Sequence, residues 1–125
     1  MGKRVLAVDD DAMMLAVIRN TLRNAEYEVT CAASGREAID RLKMEKYDCI
    51  VLDFYMPDND GLDVVGFMYS KRIRIPVIIF SSNIEAYHEA GVQAFGVVKE
   101  ILKKPSSVSE LLQTVERVIR EEEGV

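Results

Sequence analysis

The segment "DCIVLD" (48–53) is a short, almost continuous apolar run that ends in an acid. Uninterrupted runs of Ile, Val and Leu are typical of parallel strands that are buried on both faces. "RVLAV" (4–8) and "PVIIFS" (76–81) have the same character, and "YEVTCA" (27–32) and "EILKK" (100–104) complete a set of five runs. We therefore predict five strands in one parallel sheet.

Five segments with the apolar spacing of amphipathic helices separate and follow these runs. They cover residues 12–25, 35–46, 61–70, 84–95 and 108–122. Strict alternation of strands and helices implies right-handed crossovers and a doubly wound sheet. The predicted fold class is α/β, a (βα)5 three-layer sandwich around a five-stranded parallel sheet, and one domain is expected to span residues 1–125.

The predicted helices carry apolar stripes and capping signals. The stripe of the first helix consists of Met14, Val17, Ile18 and Leu22, and that of the third of Leu62, Val65 and Met68. Capping boxes, in which a serine precedes a glutamate by three residues, mark the start of two helices. These boxes are Ser34 with Glu37 and Ser107 with Glu110, and Asp11 is interpreted as the cap or first-turn residue of the first helix.

Composition narrows the function further. The chain of 125 residues has a net charge of −5, which argues against a nucleic-acid or anionic-membrane surface because phosphate binding normally needs a basic face. No apolar run approaches the roughly 20 residues that span a bilayer, and "VLAV" (5–8) is shorter than the core of about 7–15 residues in a signal peptide. The expected compartment is the cytoplasm.

Cys31 and Cys49 are interpreted as reduced, buried thiols.

Four of the five predicted strands end in groups that can carry chemistry, and the carboxyl ends of such strands meet where ligands bind. These groups are Asp9, Asp10 and Asp11 after the first strand, Asp53 after the third, Ser81 in the fourth and Lys104 in the fifth. Carboxylates this close resist ionising together, so a cation is needed among them. Oxygen ligands without His or Cys suit Mg²⁺, which also binds phosphate oxygens. An Asp carboxylate can attack phosphorus, while a hydroxyl and a lysine would contact the phosphoryl oxygens.

Each of these residues also has a purely structural interpretation. Asp53 would be a turn residue, Ser81 a capping hydroxyl and Lys104 a solvated surface charge. Because all of these residues are predicted to lie at one edge of the sheet, we favour a shared functional site over separate structural roles. In "VVKEILKKPSS" (97–107), Lys104 directly precedes Pro105 and is predicted to face the acids, Lys103 to point to the opposite face, and Lys99 to lie before the strand.

Four segments in this order resemble the receiver domain of bacterial two-component response regulators. They are "VLAVDDDA" (5–12), "CIVLDFYMPDNDGLDVV" (49–65), "IPVIIFSS" (75–82) and "LKKPSSVSELL" (102–112). The match runs from end to end of the chain, and the combination of motifs is highly specific. The resemblance implies the strand order 2-1-3-4-5.

The resemblance also implies a role for each motif residue. Asp53 matches the aspartate that accepts the phosphoryl group, and Lys104 the lysine that contacts it. Asp10 matches the direct Mg²⁺ ligand, Asp9 a ligand that acts through water, and the backbone carbonyl of Tyr55 the third protein ligand. Ser81 matches the hydroxyl residue that moves toward the phosphoryl group, and a cis peptide bond is expected between Lys104 and Pro105.

Two features depart from the family pattern. The aromatic residue expected at the signalling surface falls at Ile101, so the aromatic switch is either absent or replaced by Phe95 or by Ile101 itself. The stretch from Gly96 to Pro105 is also about one residue longer than the common pattern, which predicts a β-bulge or a shifted helix end.

By this resemblance the chain is expected to be a stand-alone switch. A sensor histidine kinase or a histidine phosphotransfer protein would phosphorylate Asp53 with Mg²⁺, for which Mn²⁺ or another divalent cation would substitute. The face built from the fourth helix, the fifth strand and the fifth helix would then bind a downstream target protein or form a phosphorylation-dependent homodimer, with no direct contact to nucleic acid or membrane.

Turnover of other substrates is not expected, because a receiver catalyses only its own phosphorylation and dephosphorylation. Two alternatives remain open. One is a degenerate receiver that serves as a docking or dimerisation module. The other is a Mg²⁺-dependent aspartyl-phosphate phosphatase, against which Tyr55 counts because such enzymes usually carry an acid at that position.

Overall fold

A computed structural model of the chain describes residues 2–54, 56, 61–82, 96–104 and 107–124. Within these residues, five strands form one parallel sheet: β1 (Arg4–Val8), β2 (Glu28–Ala32), β3 (Cys49–Leu52), β4 (Val77–Ser81) and β5 (Val98–Lys103). The described helices are α1 (Ala12–Asn24), α2 (Gly35–Met44), α3 (Gly61–Ser70) and α4 (Val108–Glu123). The strand order is β2-β1-β3-β4-β5, which confirms the predicted fold. The helix predicted over 84–95 lies outside the described residues.

The sheet separates two apolar cores. Alternate strand residues enter opposite layers: Leu6 and Ile50 belong to the core under α2 and α3, whereas Val5 and Val51 belong to the core under α1 and α4. All four side chains are fully buried or nearly so. Burial on both faces explains why β1 and β3 read as continuous apolar runs. No helix within the described ranges combines the length and apolarity needed to cross a bilayer.

The predicted helix starts are confirmed. The Asp11 carboxylate accepts from the N–H of Met13 at 2.9 Å, and the Ser34 hydroxyl accepts from the N–H of Glu37 at 3.1 Å. Ser107 accepts in the same way from the N–H of Glu110 at 3.0 Å. These side chains satisfy N–H groups that the first helical turn leaves without a partner.

Two stripe residues were predicted wrongly. Val17 is 42% exposed and Leu62 is 38% exposed, while Leu15 and Val64 are buried instead. In both helices, apolar residues occupy consecutive positions. Periodicity therefore leaves a choice between neighbouring stripes, and packing against the sheet makes that choice.

The last strand begins two residues earlier than predicted. β5 starts at Val98, so Lys99 lies within the strand rather than before it. Val77 pairs with Val98 but Ile78 pairs with Glu100, which makes Lys99 the extra residue of a β-bulge. The bulge accommodates the longer stretch after Gly96 and confirms that part of the prediction.

Candidate functional site

Backbone hydrogen bonds bring the strand ends into line at one edge of the sheet, the carboxyl edge. The Asp9 N–H donates to the carbonyl of Ala32 at 3.1 Å, and the Asp53 N–H donates to that of Val8 at 2.9 Å. The Lys104 N–H donates to the carbonyl of Ser81 at 3.0 Å. Asp9, Asp53 and Lys104 each stand directly after a strand, and each extends the ladder by one bond.

Three carboxylates converge at this edge. Asp9, Asp10 and Asp53 each offer an oxygen, and these oxygens all lie within 4.8 Å of one another. Asp9 is 1% exposed and Asp53 is 6% exposed, while Asp10 lies at the exposed rim. Burying two carboxylates is costly unless positive charge compensates them.

Lys104 supplies part of that charge. Its Nζ donates to Asp9 Oδ2 at 2.5 Å and lies 3.6 Å from Asp53 Oδ2. The ammonium also lies 5.4 Å from the ring centroid of Phe80, within range of a cation–π contact. Lys103, the residue before Lys104, is exposed at the end of β5. The predicted register, with Lys104 facing the acids, is therefore confirmed.

The three consecutive acids divide into separate functions. Asp11 caps α1 as predicted, and its own N–H donates to Asp9 Oδ1 at 2.9 Å. Asp9 therefore accepts bonds on both carboxylate oxygens, from a backbone amide and from Lys104. Asp10 lies in the chain between the buried Asp9 and the helix cap Asp11, and its carboxylate is at the exposed rim of the acid cluster.

The remaining predicted residues divide into described and undescribed ones. Ser81 ends β4 with no exposed surface, beside the backbone of Lys104. Ile101 lies in β5 opposite Ile79 and packs, partly buried, on the core under α2 and α3. The carbonyl of Tyr55, the cis bond before Pro105, and Phe95 lie outside the described residues.

Comparison with known proteins agrees with this geometry. The family model of the response regulator receiver domain matches residues 5–116. The chain belongs to this family. This receiver domain is 28% identical over 98% of its length to the alkaline phosphatase synthesis transcriptional regulatory protein PhoP of Bacillus subtilis, of which it covers 51%. It is 32% identical over 94% of its length to the transcriptional regulatory protein PdtaR of Mycobacterium tuberculosis, of which it covers 57%. The chain thus spans about half the length of these curated relatives.

A solved structure supports the fold of the receiver domain. The response regulator protein TrrA from Thermotoga maritima, in complex with Mg²⁺ and BeF, is 27% identical to this chain with a TM-score of 0.80. The alignment covers 93% of this chain and 98% of TrrA.

The donor set of the receiver domain suits a hard divalent cation. Asp9, Asp10 and Asp53 supply only oxygen ligands, which is the chemistry that Mg²⁺ and Mn²⁺ prefer. When the three acids are ionised they carry a formal charge of −3, and Lys104 returns only +1. A divalent cation would close this deficit, so the residues present fit the metal that the family implies.

One close contact was missed by the sequence analysis. The Gly61 N–H donates to the carbonyl of Phe54 at 2.8 Å, which ties the start of α3 to the residue after Asp53. A Cβ on Gly61 would lie 2.5 Å from Phe54 Cδ1 and 2.8 Å from its Cα. The segment "DNDG" (58–61) consists of residues that are common in turns, but nothing in it indicates that Phe54 lies against the glycine. Phe80 beneath Lys104 was missed for the same reason, because an apolar strand residue gives no signal of a cation contact.

Proposed function

We propose that this receiver domain accepts a phosphoryl group on Asp53 from a sensor histidine kinase or a histidine phosphotransfer protein. The observation that carries the proposal is the convergence of three carboxylates with the Lys104 ammonium at the carboxyl edge. Asp53 is the acid of this group that directly follows the central strand β3. Its position among fixed charges suits phosphoryl transfer, in which positioning and charge neutralisation supply most of the catalysis.

The transfer forms one bond and breaks one. A carboxylate oxygen of Asp53 attacks the phosphorus, and the bond from phosphorus to the donor breaks. The donor leaves with the bonding electron pair, and a histidine donor then takes up a proton to become neutral imidazole. The product is an acyl phosphate on Asp53.

The proposed roles of the neighbouring residues follow from their charges. Bound Mg²⁺, or Mn²⁺ in its place, would neutralise charge on the phosphoryl oxygens. Asp10 and Asp53 would hold it directly, Asp9 through water, and the backbone of Tyr55 would add a third protein ligand. Lys104 would compensate the phosphoryl oxygens from the opposite side as a point charge.

The response would pass from β4 to β5. The Ser81 hydroxyl would donate to the phosphoryl group, and Ser81 pairs with Lys103 in the neighbouring strand. Ile101 lies two residues before Lys103, and we assign it the place of the aromatic switch residue. A shift of β4 and β5 would change the face that contains β5 and α4, the helix predicted as the fifth. The affinity for a downstream protein or for a second phosphorylated copy would change with it.

Labelling with a small phosphodonor tests the proposal. With acetyl phosphate and Mg²⁺, intact-mass spectrometry is expected to show the gain of one phosphoryl group that is stable in acid and lost in base. Asp53→Asn is expected to abolish this gain. Asp40→Asn, which makes the same chemical change at an exposed position on α2, is the matched control and is expected to label normally. Equal labelling of the Asp53→Asn variant would show that Asp53 is not the phosphorylated residue.

The same samples separate the alternatives. Steady turnover of a small phosphate ester would assign the chain to a phosphatase. Absence of both labelling and Mg²⁺ binding would instead favour a docking or dimerisation module. We further propose that residues 1–125 act as one domain in the cytoplasm and turn over no substrate besides their own phosphoryl group.

A further inference from the structure

A cleft of about 510 Å³ lies at the amino edge of the sheet, opposite the acids. Its floor is apolar and includes Met68, Ile73 and Val97, of which Met68 is fully buried. Its rim includes two arginines, Arg72 and Arg74. The lining of the cleft therefore combines apolar groups with basic groups, as binding sites do.

The backbone at the end of α3 places an arginine where a glycine is usual. The Arg72 N–H donates to the carbonyl of Tyr69 at 3.2 Å and the Ile73 N–H to that of Met68 at 2.9 Å. This is the hydrogen-bond pattern of a Schellman motif. Arg72 holds its left-handed position with φ of 57°. A side chain in this conformation costs free energy that glycine would avoid, and such costs concentrate at functional positions.

The basic groups at and beside the cleft form no ion pair with any acid among the described residues. Lys71, Arg72 and Arg74 are all exposed, and none forms an ion pair within the part of the chain that the structure describes. The carboxyl end of a helix favours cations, which accounts for Lys71 and Arg72. It does not account for Arg74, which lies beyond the helix and lines the same cleft.

We propose that this cleft docks a segment of a partner protein in which carboxylates flank an apolar side chain. The apolar group would pack on Ile73, which is partly exposed, and the carboxylates would accept from Arg72 and Arg74, whose guanidinium groups match carboxylates in a bidentate fork. Tyr69, 64% exposed, adds an aromatic surface beside them. Tyrosine and arginine are residue types enriched in protein interfaces. The combination of apolar and basic lining favours a protein segment that carries both apolar and acidic side chains.

Peptide binding to the unphosphorylated full chain tests this proposal. The probe is a fluorescein-labelled hexapeptide with leucine and phenylalanine at its centre and two glutamates on each side, followed by fluorescence anisotropy. Saturable binding is expected, and it should weaken as salt rises. Replacing the glutamates by glutamine, or the central pair by alanine, is expected to weaken binding about tenfold in each case. In ¹⁵N spectra, the amides of Ile73 and Val97 are expected to shift.

Matched variants separate the cleft from general charge effects. Arg72→Asn combined with Arg74→Gln is expected to weaken binding by more than about tenfold, since charge-assisted bonds are lost. Asparagine tolerates a left-handed backbone, so this pair should fold normally. Glu26→Asn is the control, because Glu26 holds the equivalent position after α1 with φ of 73°. It is expected to leave peptide binding unchanged.

Three results would overturn the proposal. They are the absence of saturable binding, equal binding by the doubly substituted variant, and displacement of the peptide by inorganic phosphate or ATP at lower concentrations than the free peptide needs. The last result would assign the cleft to a small phosphate ligand. None of them bears on phosphorylation of Asp53, which is measured by mass.

Discussion

The two edges of the sheet hold charged residues under opposite conditions. At the carboxyl edge, Asp9 and Asp53 are almost fully buried, and the Lys104 ammonium lies between them. At the amino edge, Arg72 and Arg74 are exposed and unpaired among the described residues. A buried charge is destabilising unless an opposite charge lies beside it, whereas an exposed charge is stabilised by the surrounding water. Changes at the carboxyl edge should therefore alter stability, and changes at the amino edge should alter binding.

The largest expected effect is that of Lys104→Ala. It leaves buried carboxylates without their cation, and breaking such a pair typically costs about 3–5 kcal/mol. Urea unfolding at neutral pH is expected to show a loss of this order. Added Mg²⁺ should restore part of it, because a divalent ion supplies the missing positive charge.

Arg74→Ala is the matched change at the amino edge. It removes an exposed, unpaired charge and is expected to alter the unfolding free energy by less than about 0.5 kcal/mol. Similar losses in the two variants would break the comparison between the edges.

The second prediction concerns packing at the carboxyl edge. Gly61→Ala forces a Cβ to within 2.8 Å of the Phe54 Cα, which cannot move aside without displacing the segment after Asp53. A loss of about 1–3 kcal/mol is expected, together with slower phosphorylation of Asp53. Gly66, inside the same helix, has no atom within 4 Å of an added Cβ.

Gly66→Ala is therefore the control for Gly61→Ala. It should stabilise the protein by about 0.5–1 kcal/mol, because alanine is the better residue inside a helix. A loss of stability in this control would mean that the helix, rather than the contact with Phe54, explains the Gly61 result.

The sequence was sufficient for the parts of the fold that repeat a simple pattern. β1 and β4 end where predicted, because buried parallel strands leave an unbroken apolar signal followed by a polar residue. The positions of Asp9 and Asp53 followed from the same rule, whereas Lys104 was placed by its position before Pro105 and by the two-residue period of a strand. The departure at Lys99 was detectable as one surplus residue, although the strand start was not.

Contacts between distant segments could not be predicted in this way. Val17 and Leu62 were assigned to the core because their spacing fits an apolar stripe of their helices, and only the angle at which each helix meets the sheet decides which stripe is buried. Gly61 against Phe54 and Phe80 beneath Lys104 likewise depend on distances across the fold. A single sequence gives residue types and their spacing, but it does not show which distant residues come into contact.

The third prediction takes a buried group near the amino edge. Cys49 begins β3, and burial raises the pKa of its thiol from 9.0 to about 12. The unfolded thiol ionises above pH 9 while the folded one stays neutral, so unfolding becomes easier as pH rises. A loss of about 1 kcal/mol in unfolding free energy is expected between pH 9 and pH 10.

Cys49→Ala should reduce this slope without removing it, because burial also raises the pKa of the Cys31 thiol. Burial also raises the pKa values of Tyr27 and Tyr47 above their usual 10.0. The decline in stability above pH 10 should therefore persist in the variant. An unchanged slope between pH 9 and pH 10 would contradict the proposed burial of the thiol.

The smallest expected effect compares two equivalent turns at the amino edge. Glu26 and Arg72 each follow a helix with a left-handed φ, at 73° and 57°. A residue other than glycine in this conformation destabilises the folded state by about 1–2 kcal/mol. Glycine avoids this cost, but it loses more conformational entropy on folding, which offsets part of the stabilisation. Glu26→Gly and Arg72→Gly are each expected to raise the unfolding free energy by about 0.5–1 kcal/mol, measured by urea denaturation. If Glu26→Gly stabilised the protein and Arg72→Gly did not, the Arg72 side chain would have a compensating partner within the free protein. The guanidinium would then not be available to an outside carboxylate, and the contrast between the two edges would fail at this residue.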